Sequence, residues 1–398
     1  MMTLNKGFST RVVDDMVDLN VDFAGVRMKN PVILASGGPG WDGEHMRRCA
    51  EAGAGALVPK SLGPPGRWLH HPRMGRMGLF KLGKRPYGMI NLELFSTLPL
   101  ERWLEEELRV AARGGAPIIA SIVACPEPSD TQKTALAVAE TGYASMVEIN
   151  VSCPMPAGEV GMHIGRHPGL VAEQVKAVKE TVDIPVAVKL SPNYAYIDEV
   201  AKAAEEAGAD AIMATNSVQS FFGVDIETGI PPFPAFGGYS GPAIRPITMK
   251  CVAQIAREVD IPVSAIGGVS TWKDVAEYIM VGATTIQTCT AVMWGGIEVF
   301  GELSNGLRSF MERKGYDKIE DFRGIALKHL TTVEELSKRE PMRAAVDANA
   351  CTGCRTCAKV CQYDAIQFIG EKAEVLQENC DGCGLCVAWC PVDAITLV

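Results

Sequence analysis

No apolar run in this 398-residue chain approaches the roughly 18 residues that a membrane-crossing helix needs. The first residues, MMTLNKGFSTRVVDD, lack the basic start, apolar stretch and small-residue cleavage site of a secretory signal. Both absences point to a cytoplasmic protein with no membrane partner. Positive charge is also scarce, because 38 lysines and arginines face 47 acids for a net charge of −9. The shortage deepens near the end, where Asp347, Asp364, Glu371, Glu374, Glu378, Asp381 and Asp393 stand against only Arg355, Lys359 and Lys372. Such a surface argues against nucleic acid as a partner. In a reducing compartment disulfides are not expected either, so the 13 cysteines mean metal, catalysis or core packing.

Eight of those cysteines crowd the C-terminus. CTGCRTCAKVC contains Cys351, Cys354, Cys357 and Cys361, and CDGCGLCVAWCP repeats the spacing at Cys380, Cys383, Cys386 and Cys390. In the bacterial two-cluster ferredoxin arrangement three close thiolates wrap one cluster and the fourth reaches across to the other. One [4Fe-4S] cluster is therefore expected on Cys351, Cys354, Cys357 and Cys390, and a second on Cys380, Cys383, Cys386 and Cys361. A pair of zinc sites is the alternative, although zinc does not require the third and fourth cysteines at these repeated spacings. YDAIQF and VDAITL read as matching short strands of an internal duplication.

Ahead of the tail, apolar strand candidates recur eight times: PVILAS (31–36), GALVPKS (55–61), PIIASIVA (117–124), MVEINVS (146–152), PVAVKLS (185–191), DAIMATNS (210–217), PVSAIGG (262–268) and TTIQTCT (284–290). Amphipathic patterns such as LVAEQVKAVKETV and YIDEVAKAAEEAGAD follow several of them. Eight strand-helix units predict an α/β fold, a (β/α)8 TIM barrel, with its active site at the C-terminal strand ends. The expected domains are the barrel at 1–328, a linker at 329–346, and a ferredoxin-like α+β domain at 347–398. GPGWDG (38–43) fits a dinucleotide-binding fingerprint, but the next strand ends in Pro59, Lys60 and Ser61 with no acid to hold a ribose. The glycines after strands 7 and 8 suit a phosphate instead, as in a flavin mononucleotide.

Cys153, in NVSCP, lies outside the clustered eight, and its plain reading is a small buried hydrophobe. Yet NVSCP occurs with NLEL (91–94), VKLSPN (188–193), ATNS (214–217), GGYSGPAIRP (237–246) and AIGGV (265–269). Together these motifs resemble the dihydroorotate dehydrogenase superfamily, and with the ferredoxin tail they are similar to the FMN and iron-sulfur portion of dihydropyrimidine dehydrogenases. The resemblance implies FMN held by Ala35, Ser36, Lys60, Lys189, Gly241, Gly267, Gly268, Cys289 and Thr290. It implies substrate contacts from Asn91, Glu93, Asn150, Asn216 and Ser217, with Cys153 as proton donor. Physical chemistry agrees, since a thiol of ordinary pKa stays protonated at neutral pH and can still release its proton. Asparagine amides offer donor and acceptor together, matching the alternating edge of a pyrimidinedione.

The implied activity is reduction of uracil or thymine to the 5,6-dihydro product. The alternatives are the same chemistry on another cyclic or conjugated substrate, or an electron-transfer subunit. Met155, Pro156, Phe95 and a short 157–167 loop depart from the family pattern and suggest a bulkier or more apolar ligand. His163, Arg166 and His167 are candidates for an anionic group, with a solvated loop as the plainer reading. HHPRMGRMG (70–78) is either an exposed loop or a clamp, and the long segment between ATNS and GGYSG is a candidate lid. With no second nucleotide-binding unit, the electron donor is expected to be a separate FAD-containing NAD(P)H oxidoreductase subunit or a ferredoxin, within a homo- or hetero-oligomer.

Overall fold

The computed structural model describes residues 17–64, 74–153 and 161–398. The chain forms two compact units that divide between His329 and Leu330.

In the first unit all eight expected strands form and close into a parallel barrel: β1 (Val32–Leu34), β2 (Ala56–Leu57), β3 (Ile118–Val123), β4 (Ala144–Asn150), β5 (Val186–Leu190), β6 (Ala211–Ala214), β7 (Val263–Ile266) and β8 (Thr285–Thr288). Each strand pairs with its neighbours in the chain, and β8 closes the ring on β1. The strands read as continuous apolar runs because helices cover them outside while side chains fill the interior. Strands β3, β5, β6, β7 and β8 are accordingly buried along their whole length. Each fully buried aliphatic side chain contributes about 1.5–3 kcal/mol relative to exposure. Register then places polar groups together at the strand ends, since Asn150 of β4 lies beside Lys189 of β5.

GPGWDG does not open a dinucleotide fold. Gly38–Gly40 makes a single 3-10 turn, and Asp42 caps the helix Gly43–Glu51 by accepting the His45 amide at 2.8 Å. Gly43 is required for packing, because a Cβ there would lie 2.2 Å from the Glu107 carbonyl oxygen.

An antiparallel sheet also belongs to this unit, with strands in the order Val218–Ser220, Gly237–Ser240, Arg85–Asn91 and Met77–Leu82. It carries Asn91 into register with Gly238. The candidate lid is fastened to this sheet by aromatic contacts: Phe222 meets Phe233 at 4.8 Å and Phe80 at 5.0 Å, and Phe80 meets Tyr239 at 5.1 Å.

The second unit is built from paired short strands. Ile366–Ile369 pairs with Lys372–Val375, and Ala344–Val346 pairs with Ile395–Leu397. The strands expected from YDAIQF and VDAITL are therefore present. The stretch expected as a linker, 329–346, ends inside this unit, because Ala344–Val346 supplies the partner that the last strand needs for its backbone hydrogen bonds. Asp364 and Asp393, at equivalent positions of the two cysteine runs, both adopt a φ of 51°, so the duplication extends to the backbone.

Candidate functional site

A cleft of about 1020 Å³, counting the solvent at its open mouth, lies at the C-terminal ends of the barrel strands. Every residue that the resemblance assigned to cofactor, substrate or proton transfer borders it: Ala35, Ser36, Lys60, Asn91, Glu93, Asn150, Cys153, Lys189, Asn216, Ser217, Gly241, Gly267, Gly268, Cys289 and Thr290. They come from distant parts of the chain, and barrel closure brings them together.

A chain of hydrogen bonds organises one side of the cleft. Asn150 Nδ2 donates to Ser61 Oγ at 2.9 Å, and Ser61 Oγ is 2.8 Å from Ser121 Oγ. Asn150 Oδ1 accepts from the Ser152 amide at 3.0 Å and from Ser152 Oγ at 2.8 Å. Asn216 Nδ2 donates to Ser152 Oγ at 3.0 Å, while Asn216 Oδ1 accepts from the Ser217 amide at 2.8 Å. The backbone N–H groups fix both amide orientations, since an amide nitrogen in place of the oxygen would face a donor. Here the structure differs from the expectation that each asparagine presents both donor and acceptor. The acceptor sides of Asn150 and Asn216 are taken by their serine neighbours, and among the described residues each amide makes only one bond through its N–H groups. Ser61, Ser121 and Ser152 were not singled out in the sequence. Ser152 was nonetheless visible within the NVSC motif, whereas Ser61 and Ser121 become polar partners only through barrel register.

Acceptors come from the opposite side. Glu93 is nearly buried, with Oε2 at 3.3 Å from Lys60 Nζ and Oε1 at 3.1 Å from Arg76 Nε. Arg76 thus ties the described end of the 70–78 segment to Glu93, and residues 70–73 of that segment lie outside the described residues. Asn91 Oδ1 accepts the Glu93 amide at 3.2 Å and Asn91 Nδ2 donates to the Gly238 carbonyl at 3.2 Å, so Asn91 also orients the carboxylate.

Cys153 is buried among Ile90, Leu92, Phe95, Val123 and Phe233, and Phe95 borders the same cleft. The Cys153 carbonyl accepts the Met162 amide at 3.2 Å, and Gly161 packs so closely that a Cβ there would lie 2.8 Å from Cys153 Cβ. Met155, Pro156 and the first part of the 157–167 loop lie outside the described residues. His163, Arg166 and His167 are exposed and interact with one another rather than bordering the cleft, which is the solvated arrangement.

The rest of the cleft is suited to an anionic cofactor. Lys189 is 3 % exposed and makes no hydrogen bond or ion pair among the described residues. A buried ammonium is costly without an anion. Two buried oxygens that border the cleft, Thr215 Oγ1 and Gln287 Oε1, likewise have no partner. Gly241, Gly267 and Gly268 border the cleft with φ values of +95°, +129° and +73°, a backbone conformation that glycine adopts without strain. Burial pushes the Cys289 thiol above its ordinary pKa despite nearby Lys60 and Lys189, which suits packing. Its sulfur lies so near Gly37 that a Cβ there would meet it at 2.3 Å. This donor set fits FMN.

In the second unit the eight cysteines surround two hollows. One is bordered by Cys351, Cys354, Cys357 and Cys390, the other by Cys361, Cys380, Cys383 and Cys386. These are the crossed sets expected from the spacing. Backbone amides reach the sulfurs, with Ala365 N–H donating to Cys361 Sγ at 3.4 Å and Ala394 N–H to Cys390 Sγ at 3.2 Å. The Ala373 and Gly353 amides lower the Cys351 pKa, and the Thr356 hydroxyl and amide lower that of Cys354. Among the described residues no three His, Cys, Asp or Glu side chains converge on a single-ion site.

Comparison with known proteins agrees with the architecture. Residues 18–311 match the family described as Dihydroorotate dehydrogenase, and residues 344–397 match the 4Fe-4S dicluster domain. The chain is similar to "Dihydroorotate dehydrogenase B (NAD(+)), catalytic subunit" of Pyrococcus abyssi, at 38% identity over 312 residues, covering 78% of this chain and 99% of that protein. The protein of the same name from Methanothermobacter thermautotrophicus is 37% identical, with 77% and 98% covered. That from Methanocella arvoryzae is 40% identical, with 76% and 95% covered. The alignments take in almost all of each relative and leave about a fifth of this chain unmatched.

Proposed function

The chain belongs to the dihydroorotate dehydrogenase family, and from that premise we propose that it reduces the 5,6 double bond of uracil or thymine with electrons delivered through two [4Fe-4S] clusters. The observation that carries this reading is Glu93, a nearly buried carboxylate in the substrate half of the cleft. A neutral pyrimidinedione gives it a ring N–H, whereas a ring bearing a carboxylate brings it a like charge. When bound, FMN supplies hydride chemistry and exchanges single electrons with iron-sulfur centres.

The protein's own groups divide the remaining work. The free N–H of Asn150 and that of Asn216 donate to ring carbonyl oxygens, while Glu93, oriented by Asn91, holds the N–H side. Cys153 Sγ–H delivers a proton to the ring carbon beside the one that receives hydride, and its apolar surroundings exclude water from that step. Lys60 and Lys189 would stabilise negative charge on the flavin, and Gly267 and Gly268 would hold its phosphate. The crossed cysteine sets support clusters over zinc, because two hollows each bordered by four thiols suit a polynuclear centre. We assign the barrel to 1–328 and the cluster domain to 347–398 with its preceding strand.

A second reading, oxidation of dihydroorotate, is favoured by the names of the relatives. Those names specify a catalytic subunit and NAD(+), which suggests a separate NAD(P)H-reacting subunit as partner here too. No helix of the described residues is long and apolar enough to cross a membrane. The deciding experiment is to purify the protein anaerobically, reduce it, and add uracil, thymine or orotate while following flavin absorption. Reoxidation by uracil or thymine supports the proposal. Reoxidation by orotate alone replaces it with the second reading.

A further inference from the structure

The turn after β7 is held from behind by two hydroxyls. Tyr278 OH donates to the Gly267 carbonyl oxygen at 2.6 Å, Thr248 Oγ1 approaches the same oxygen at 3.3 Å, and the hydroxyls contact each other. Tyr278 lies on the helix Trp272–Met280 and Thr248 on the helix Arg245–Glu258. Both side chains are completely buried and neither borders the cleft, although Gly267 and Gly268 do. Burial holds the Tyr278 phenol well above its ordinary pKa, so it remains a donor.

The geometry of the peptide bond gives this contact a consequence. A trans peptide is planar, with its C=O and the next N–H on opposite sides. Fixing the Gly267 oxygen toward the helices therefore aims the Gly268 N–H away from them, toward the cleft. Among the described residues that N–H has no acceptor. The turn cannot relax into another shape easily. A Cβ on Gly267 would lie 2.7 Å from Thr248 Cγ2, and one on Gly268 would lie 2.6 Å from Arg245 Cβ. One helical turn before Tyr278, Asp274 accepts the Ser270 and Thr271 amides at 2.9 and 2.8 Å, and Arg245 holds Asp274 at 3.0 Å.

We infer that the buried Tyr278–Thr248 hydroxyl pair is a positioning device that aims the Gly268 amide at the cofactor's phosphate and so sets the preference for FMN over unphosphorylated riboflavin. The inference rests on the FMN reading above. Tyr278 touches neither cofactor nor substrate, so its effect must appear in the phosphate-dependent part of binding.

The test uses full-length protein stripped of flavin and titrated separately with FMN and with riboflavin, read by quenching of flavin fluorescence. Wild-type protein should bind FMN more tightly. In Tyr278→Phe the ratio of the two affinities should fall roughly 3- to 10-fold, the worth of one net hydrogen bond, with riboflavin binding nearly unchanged. Thr248→Val should move the ratio in the same direction, and Thr248→Ser, which keeps the hydroxyl, should restore it. This pair carries the test should Tyr278→Phe not fold. An unchanged ratio, or equal loss of both flavins, overturns the inference while leaving the FMN reading intact. Wild-type protein that binds the two flavins equally overturns both.

Discussion

Glu93→Gln separates the two substrate readings. The substitution preserves shape but removes the negative charge that Lys60 and Arg76 contact at 3.3 and 3.1 Å. The glutamine oxygen still accepts the ring N–H, but a bond to a carboxylate is worth about 1–1.5 kcal/mol more than one to a neutral amide, so uracil should bind about 5- to 13-fold more weakly. For an anionic ring the sign reverses. Removing a unit charge about 6 Å away, through an effective dielectric constant of about 40, relieves about 1.4 kcal/mol and tightens orotate about tenfold. Freed of their partner, Lys60 and the more exposed Arg76 should cost the fold about 1–3 kcal/mol, visible as a lower Tm. The assay is titration of the oxidised protein with each ligand, followed by the perturbation of flavin absorption. The selectivity between the two ligands should shift by about 50- to 130-fold toward orotate. Uracil affinity unchanged within about twofold, or parallel weakening of both ligands, would refute the reasoning.

Cys153→Ala should retain FMN and the clusters but slow turnover by about 10² to 10⁴, the usual worth of a positioned general acid, with Cys153→Ser retaining somewhat more. Undiminished turnover in the alanine variant would return Cys153 to a packing role. The double replacement Cys357→Ala and Cys386→Ala takes one ligand from each proposed cluster. Reduction by an external protein donor should be lost while chemically reduced flavin still reacts with substrate. Zinc without inorganic sulfide in the native protein would disprove that assignment. Lys189→Met should weaken FMN binding, because the buried ammonium then no longer meets the cofactor's charge, and equal FMN affinity in the variant would contradict the placement. The isolated chain should oxidise NADH and NADPH only slowly, with turnover restored in a salt-sensitive manner by the correct partner subunit. Rapid oxidation by the chain alone would remove the need for a partner.

Some of this was legible along the chain because it depends on local chemistry. Strand candidates such as PVAVKLS are short apolar runs between helical patterns, and eight of them leave little besides a barrel once each must be buried on both faces. The cysteine runs are equally direct, because cluster ligation demands closely spaced thiolates, and the crossed pairing follows from the repeat. Cys153 stood out only through the motifs around it, since a lone cysteine has no periodic or spacing signature.

Other features required closure of the fold. Nothing local to Asn150 or Asn216 indicates that one N–H of each amide is already spent, because Ser61 meets Asn150 and Ser152 meets Asn216 only after the strands take their places in the barrel. Arg76 reads as one more basic residue in a loop until the antiparallel sheet carries Glu93 to it. Tyr278 reads as an ordinary apolar position on an amphipathic helix, and its hydroxyl acquires a purpose only where that helix packs behind Gly267. By itself the sequence determined which segments must be strands, helices and cluster loops, because burial and ligation act through nearby residues. Only the tertiary structure decided which polar atoms are already paired and which remain for a ligand, because hydrogen bonds are satisfied in space, often between residues as distant in the chain as Ser61 and Asn150.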